Sequence, residues 1–375
     1  MIVLGVFEIA LRDLCLAGVL LGAFIYEVYF YLRYIRFRGN NPTPSTNQPP
    51  VSIIVCARNE GYNLQHYVQS LLTQEYPEFE IILVNDGSED STQAVLDDYA
   101  VSDRRVRVTF VPRGARLRST KKLGLTLAAK AARYDYLLLT DADCRPESTH
   151  WIASMMAGFG KAETEVVLGY GAYFQEPTLL NDLIRYETLF NGLHYMGAAI
   201  TGKPYMGVGR NLAYRKETFF GSGGFSSQMT EFAGDDDLFV NKVAKRGNTV
   251  VVNSPESITW SVPKTSWKAW WQQKRRHLSV SPAYKRATKH HLVHEPIARG
   301  VFYGLLVAIL VFGEPLSMCL AFGLFLLRLM MQLIIINHAA RKLGQPRVGL
   351  EILELDIILP LITLVAMAGK KKKTW

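Results

Sequence analysis

The sequence contains little cysteine: four residues among 375, scattered along the chain. They are Cys15, Cys56, Cys144 and Cys319. No disulfide framework or zinc-ligand spacing emerges, which excludes both kinds of scaffold and fits a reducing compartment. Internal repeats are absent, and low-complexity sequence is confined to a linker and a lysine tail.

The basic residues lack a nucleic-acid-binding signature. The formal net charge of +9 is concentrated at residues 33–38, 268–289 and 370–373. Because no recognition-helix pattern or RNA-binding sheet signature accompanies these residues, we expect no nucleic-acid partner. They lie near the ends of apolar segments, so anionic membrane lipid explains the charge better.

Apolar residues make up 49% of the chain, which is high for a wholly soluble protein. Residues 14–32 are apolar except for Glu27 and are followed by arginines, which predicts an uncleaved transmembrane anchor with its C-terminal end in the cytoplasm. Residues 297–312 and 316–336 predict a helical hairpin that begins and ends in the cytoplasm. The chain is therefore expected to be an integral membrane protein.

The last apolar segment, residues 357–369, is too short to span a bilayer alone and predicts a re-entrant or interfacial helix. A full span stays open as the alternative. It would bring Glu351, Glu354 and Asp356 toward lipid, which is costly unless neighbouring helices shield them.

Between the membrane segments, strands and helices alternate. Residues 39–50, GNNPTPSTNQPP, form a proline-rich linker. The pattern after it is that of βαβ units, which predicts an α/β domain with a parallel sheet. The predicted domains are the N-terminal transmembrane anchor 1–38, the linker 39–50, the α/β domain 51–260, amphipathic interface helices 261–296, and C-terminal membrane helices with a basic tail 297–375.

Acidic residues follow the predicted strands. Asp86 follows one apolar strand, and Asp141 and Asp143 follow another, YLLLT. An Asp-x-Asp pair on an extended segment directs both carboxylates to one side, and such hard oxygen donors suit Mg²⁺ or Mn²⁺ carrying a diphosphate. For an isolated DAD, a solvated turn that caps the next helix is the better explanation, but the position after a buried strand and the other acidic positions favour the metal.

Further polar residues lie at the expected crevice. Arg58, Asn59 and Glu60 follow the first strand and, with Asp86, are able to hydrogen-bond a base and ribose. Lys121 and Lys122 open a helix and are able to neutralise a diphosphate, although a lysine pair is also ordinary at a solvated helix start.

Three candidate clusters follow in the second half of the domain. A glycine-rich turn at 207–216 contains Gly209 and presents Arg210 and Asn211 as donors. In FAGDDDLF, charge crowding raises the pKa of at least one aspartate, which suits a general base, although a helix N-terminus also favours acidic residues. The third cluster has i, i+3, i+4 spacing, which places its side chains on one face of a helix. That face is able to bind a departing pyrophosphate or, alternatively, to contact anionic lipid. Its residues are Gln272, Arg275 and Arg276.

As a set, these motifs resemble membrane-embedded family 2 glycosyltransferases with a GT-A fold, such as ceramide glucosyltransferases and polysaccharide synthases. The resemblance covers essentially the whole chain. It implies an inverting transfer from a nucleotide-diphosphate sugar, most simply a UDP-sugar, to a lipid or glycan acceptor at the cytoplasmic membrane face. In a bacterium this is the inner membrane.

The resemblance also implies roles for individual residues. Asp236 is the expected catalytic base. The expected donor-nucleotide contacts are Arg58, Asn59, Glu60, Asp86, Lys122 and Asp141. Asp143 and Asp141 are the expected ligands of Mg²⁺ or Mn²⁺. The expected acceptor and diphosphate contacts are Gly209, Arg210, Asn211, Asp235, Gln272, Arg275 and Arg276.

Two positions depart from the family pattern. Asp235 stands where a glutamate is usual, and Arg276 replaces the usual tryptophan of QxxRW, which weakens the case for a processive polysaccharide synthase. The alternatives are such a synthase, a metal-dependent nucleotidyl- or phosphotransferase, and a non-catalytic protein with the same fold.

Overall fold

The structure is a computed structural model that describes residues 2–4, 7–9, 11–35, 48–112 and 119–368, with side chains from residue 16 to 29 and throughout the last two ranges. The basic residues 33–38, most of the predicted linker 39–50 and the lysine tail 370–373 lie outside the described side chains.

The described chain contains twelve strands and twelve α-helices. In chain order the strands are β1 Ile2–Leu4, β2 Phe7–Ile9, β3 Val51–Ala57, β4 Phe79–Asn85, β5 Val106–Phe110, β6 Tyr136–Asp141, β7 Cys144–Pro146, β8 Val166–Leu168, β9 Gly171–Tyr173, β10 Leu212–Arg215, β11 Thr249–Val251 and β12 Thr259–Ser261. The helices are α1 Leu11–Ile35, α2 Gly61–Leu72, α3 Thr92–Ser102, α4 Thr120–Ala131, α5 Trp151–Ala157, α6 Leu179–Ile200, α7 Lys216–Gly221, α8 Asp237–Val243, α9 Trp267–Leu278, α10 Arg286–Phe312, α11 Pro315–Lys342 and α12 Ile352–Ala368.

A seven-stranded sheet has the order β11-β8-β10-β6-β3-β4-β5. The four strands β6, β3, β4 and β5 are parallel, which confirms the predicted βαβ arrangement, and β10 is antiparallel to both of its neighbours. A smaller sheet has the order β7-β12-β9, and β1 pairs with β2. The change of direction at β10 makes the large sheet mixed.

The main core lies on one face of the large sheet. All seven residues of β4 are buried, as expected of a strand covered on both faces. Side chains of α2, α3 and α5 pack against the strands. Among them Leu64, Leu96 and Trp151 are completely buried. On the other face, Gly124 of α4 approaches the side chains of Val84 and Cys56 so closely that a Cβ would lie within 3.1 Å of both.

The chain divides into two compact units. One contains β3 to β12 and α2 to α9. The other contains β1, β2, α1, α10 and most of α11 and α12. By length and composition, α10 and α11 are each able to cross a membrane, and the part of α1 whose side chains are described is an apolar stretch at Leu16–Tyr29.

A cluster of charged side chains is buried among the four long helices of the second unit. Arg328 of α11 pairs with Glu27 of α1 at 2.5 Å and with Asp356 of α12 at 2.8 Å, and Arg299 of α10 pairs with Asp356 at 3.0 Å. Tyr303 also donates to Asp356, at 2.8 Å. Asp356 is thus shielded by neighbouring helices, the condition that a longer final apolar helix requires, and α12 begins at Ile352 rather than at residue 357.

Candidate active site

Two predicted site residues lie at the carboxyl edge of the large sheet, on either side of β3. Asp141 ends β6 and pairs with Cys56 of β3, and Asp86 directly follows β4. Because these strands are parallel, both carboxylates emerge at the same edge. Burial raises the pKa of the Cys56 thiol, and the nearby charges of Asp86, Asp235 and Asp141 raise it further, although Lys121 opposes them. The acidic residues therefore converge around the end of β3.

Asp86 has one oxygen engaged and one without a partner. Thr120 donates its hydroxyl to Oδ2 at 2.9 Å, whereas Oδ1 is buried with no hydrogen-bond partner among the described residues. Burial raises the pKa of Asp86, and the Thr120 bond and the charge of Arg58 oppose that shift. Since buried acceptors are almost always satisfied, Oδ1 is a position where a ligand hydroxyl can donate.

The three residues after β3 differ in what they contact. Arg58 is exposed near Asp86. Asn59 has a left-handed backbone with φ of 56°, and its side-chain oxygen accepts from the backbone of Glu89, so it braces the loop that follows Asp86. Glu60 is half-buried, accepts from Asn63 at 2.5 Å, and has a pKa raised by burial.

Lys121 links two of the acidic positions. Its Nζ lies 2.9 Å from Asp141 Oδ1 and 3.1 Å from Asp235 Oδ2. Although burial disfavours the charge, the three carboxylates of Asp141, Asp235 and Asp236 hold the pKa of Lys121 well above its usual value. A small cavity opens at this point, lined by both partners and by Gly209. Lys121 is therefore a cation within the site.

Lys122 points elsewhere, which corrects its expected role as a diphosphate contact. The side chain is 0% exposed, and Nζ donates to the carbonyls of Gln228, Glu231 and Ala233 at 2.7, 2.9 and 2.7 Å. Successive residues on a helix differ by about 100° in direction, so only one of two adjacent lysines faces the crevice. Lys122 fixes the loop that leads to Asp235.

Asp143 lies beside a cation and an aromatic ring. Burial raises the pKa of Asp143, as does the charge of Asp141, while Arg210 lowers it. The Arg210 guanidinium stacks over the Tyr173 ring with 4.2 Å from Cζ to the centroid, and it donates to the Ala172 carbonyl at 3.1 Å. Arg210 is thus held rigidly close to the Asp-x-Asp pair.

Asp236 caps α8 and is held through both oxygens. Oδ2 accepts from the Gly209 amide at 2.8 Å, and Oδ1 accepts from the Asp237 amide at 2.7 Å. Burial and the adjacent Asp235 raise the pKa of Asp236. For Asp235 the shift is opposite: burial disfavours its charge, but Lys121 outweighs that and lowers the pKa. The neighbouring aspartates are therefore chemically distinct, one a stable anion and one a stronger base.

The residue before the three aspartates, Gly234, has a backbone conformation that favours glycine. Gly234 has φ of +90°, and a Cβ there would lie 2.6 Å from the Leu238 side chain. The helix begins only at Asp237 and ends at Val243, so Asp235 and Asp236 precede it.

Asn211 does not face the crevice, which corrects its expected substrate contact. It is 0% exposed and its amide is used internally, accepting from the Trp151 indole at 3.1 Å and donating to the carbonyls of Tyr170 and Ser257. Asn211, the residue before β10, is therefore joined to α5 and to the segments around Tyr170 and Ser257. Its neighbour Arg210 is the member of this turn near the acidic residues.

On α9, Gln273 rather than the predicted Gln272 contacts a residue near the acidic cluster. Gln272 and Arg276 are exposed and Arg275 is half-buried. Gln273 instead contacts the Tyr173 hydroxyl, at 3.4 Å. Lys274 is buried and pairs with Glu187 of α6. The sequence prediction named Gln272 alone, whereas the structure places Gln273 against Tyr173 and leaves Gln272 exposed.

No group of three or more His, Cys, Asp or Glu side chains able to hold a metal is present within the described ranges. Asp141 and Asp143 interact electrostatically and supply hard oxygen donors, which fits Mg²⁺ or Mn²⁺ whose other ligands come from phosphate and water. These two carboxylates are the residues suited to the predicted ion.

The chain is similar to known glycosyltransferases. It is 25% identical over 255 residues to the probable glycosyltransferase YdaM of Bacillus subtilis, covering 66% of this chain and 59% of that one. It is 32% identical over 118 residues to the poly-beta-1,6-N-acetyl-D-glucosamine synthase of Staphylococcus epidermidis, covering 31% and 27%. The chain thus spans less than two thirds of the length of these relatives.

Among solved structures, the mannosyltransferase PcManGT from Pyrobaculum calidifontis, in complex with GDP-Man and Mn²⁺, is similar with a TM-score of 0.56 and 20% identity. The similarity covers 88% of this chain and 97% of that one and confirms the expected GT-A fold. The family model for glycosyl transferase family 2 matches residues 52–228, and that for glycosyl transferase family group 2 matches residues 145–336. The chain therefore belongs to glycosyltransferase family 2.

Proposed function

We propose that this transferase moves a sugar from a nucleotide-diphosphate sugar, a UDP-sugar in the simplest case, to a lipid or lipid-linked glycan acceptor, with inversion. The observation that carries the proposal is the state of Asp236: both oxygens are held by backbone amides, burial raises its pKa, and its neighbour Asp235 and its partner Gly209 line the cavity. Such a carboxylate is suited to accept the proton of a hydroxyl.

The donor is proposed to bind at the carboxyl edge of the sheet. Asp86, with its unpartnered oxygen, and Arg58 are placed for the nucleoside, whereas Lys121 and Arg210 are placed for the diphosphate. The similar mannosyltransferase structure holds GDP-Man and Mn²⁺, which supports a nucleotide sugar as the donor class. Asp141 and Asp143 would hold the cation, which when bound neutralises charge on the leaving diphosphate.

The proposed reaction is a single displacement. Asp236 accepts the proton of the acceptor hydroxyl while that oxygen forms a bond to the anomeric carbon. The bond from the anomeric carbon to the diphosphate oxygen breaks, and the nucleoside diphosphate leaves with the electron pair. Lys121 and, from α9, Arg275 stabilise the charge that develops on it. Attack from the opposite face inverts the anomeric centre.

The membrane is part of the proposal. We assign the catalytic domain to residues 51–260 and the amphipathic segment to 261–296, at the cytoplasmic face, with α10 and α11 crossing the bilayer. A processive synthase is the second candidate because of the similarity to the poly-beta-1,6-N-acetyl-D-glucosamine synthase. Product analysis distinguishes the two, since a polymer rather than one added sugar identifies the synthase.

The test uses the purified full chain with UDP- and GDP-sugars, extracted lipids as acceptors, and Mn²⁺. Asp236→Asn is expected to lower turnover by at least about a hundredfold while nucleotide binding in the presence of Mn²⁺ changes little. Asp98→Asn, an exposed change on α3, is the matched control. Retained turnover in Asp236→Asn removes it from the role of base. Release of pyrophosphate or a nucleoside monophosphate instead identifies a nucleotidyl- or phosphotransferase.

A further inference from the structure

The carboxylate next to the proposed base has a partner from a distant part of the chain. Asp237 is 9% exposed, and its Oδ1 accepts from the Leu238 amide at 2.7 Å. Its Oδ2 accepts from the Tyr284 hydroxyl at 2.7 Å, across 47 positions of sequence. Neither residue has a role in the reaction described above.

Tyr284 is held in place by its own turn. After α9 ends, Val280 is buried, and a short 3₁₀ turn at Ser281–Ala283 follows, in which the Tyr284 amide donates to the Ser281 carbonyl. The phenol is 9% exposed. Because the turn fixes the backbone and burial fixes the ring, the hydroxyl is delivered to Asp237 in one orientation.

One further hydrogen bond connects the Tyr284–Asp237 contact to the proposed base, Asp236. The amide of Asp237 donates to Asp236 Oδ1 at 2.7 Å, and the Gly209 amide holds the other oxygen. A rotation or shift of Asp237 therefore moves one of the two donors that orient Asp236. Tyr284 anchors the residue that supplies this donor, through its bond to the Asp237 side chain.

Charge couples the same residues. Burial and the charge of Asp236 raise the pKa of Asp237 to about 7, and the Tyr284 bond opposes that rise by favouring the ionised form. The other charged or titratable groups around the pair are Asp235 on the same segment, Lys122 on α4 and Tyr205 before β10. An ionised Asp237 increases the proton affinity of Asp236, since two adjacent anions repel.

We propose that Asp237 and Tyr284 are a positioning pair that orients Asp236 and sets its strength as the base. This inference rests on the proposed function, because it assigns Asp236 that role. Tyr284 acts through Asp237 and does not itself contact substrate.

The test compares Tyr284→Phe, Asp237→Asn and the double variant with the parent, as the full chain, on the most active donor among UDP-glucose, UDP-N-acetylglucosamine and GDP-mannose. In Tyr284→Phe we expect kcat to fall roughly tenfold with the donor KM nearly unchanged. Loss of the phenol raises the pKa of Asp237, so the limb of the pH profile near 7 moves to higher pH. In Asp237→Asn that limb disappears, and adding Tyr284→Phe has no further effect on the profile.

Tyr76→Phe is the control for a purely structural loss. Tyr76 is 8% exposed and its hydroxyl donates to the Pro49 carbonyl at 2.7 Å, at the start of β3. It should lower the thermal midpoint without moving the pH limb. If Tyr284→Phe behaves like this control, the inference is wrong although the proposed function stands.

A second measurement does not depend on turnover. Infrared difference titration of carboxyl stretching bands, with Asp237→Asn subtracted from the parent, reports protonation of Asp237 directly. A midpoint that rises in Tyr284→Phe supports the inference, and an unchanged midpoint overturns it. Absence of transfer from every donor by the parent chain overturns the proposed function separately.

Discussion

Replacing each of two adjacent lysines is expected to damage the protein in different ways. Lys122→Met removes an ammonium that binds three carbonyls of the loop before Asp235. Lys121→Met removes an ammonium that pairs with Asp141 and Asp235 at the cavity. The first change should reduce stability, and the second should reduce nucleotide affinity.

The magnitudes follow from burial and bonding. A buried polar group left unsatisfied costs about 1–3 kcal/mol. Lys122→Met leaves three such carbonyls without a donor, but two of them belong to half-buried residues that water can reach. The substitution also removes the free-energy cost of burying the ammonium, which offsets part of the loss. A net loss of about 3 kcal/mol corresponds to a thermal midpoint lowered by about 6–12 °C for a unit of this size.

Lys121 is 36% exposed, so its ion pairs contribute about 1 kcal/mol or less to stability. A charged contact to a diphosphate is worth about 1.5–3 kcal/mol, or roughly 10- to 100-fold in Kd. Tryptophan fluorescence on heating measures the first effect, and calorimetric titration with UDP or GDP and Mn²⁺ measures the second. Lys130→Met, an exposed change on the same helix, is the control.

The opposite pattern would refute the reasoning. If Lys122→Met keeps the parent's midpoint and loses nucleotide binding, its ammonium contacts the donor, as the sequence alone suggested. If both variants lose only stability, neither lysine belongs to the donor site.

Two further predictions concern α9 and the membrane helices. Gln273→Ala should lower kcat/KM about tenfold, because its amide contacts a site tyrosine, whereas the exposed Gln272→Ala should change it less than about twofold; equal effects would contradict the assigned face of α9. Arg328→Met should destabilise the helical unit by about 3–5 kcal/mol, because it leaves the buried Glu27 without its ion-pair partner and removes one of the two arginines that pair with Asp356; the effect is measured as loss of monodisperse protein on heating in detergent. The exposed Arg347→Met is its control, and equal heat sensitivity of the two variants would contradict this account.

Much of the architecture could be predicted because the signals are local. The apolar runs of β3, β4 and β6 and the helices between them follow from hydrophobic periodicity over 5–12 residues, and parallel strands require crossovers of that kind. Once the strands are parallel, Asp86 and Asp141 must emerge at one edge. The order of acidic motifs also determined the family, because the set occurs along the chain in a characteristic sequence.

Tertiary structure decided which of two neighbouring residues faces the site. One step along a helix turns a side chain by about 100°, so the sequence could not choose between Lys121 and Lys122, and it named Gln272 where the structure places Gln273 against Tyr173. Packing alone turned Lys122 toward the loop carbonyls. The hydrogen bond from Tyr284 to Asp237 joins residues 47 positions apart, and no local sequence pattern predicts a contact between them. Sequence therefore determined which elements form and which edge of the sheet carries the candidate site, whereas burial against distant segments determined which side chains reach that edge.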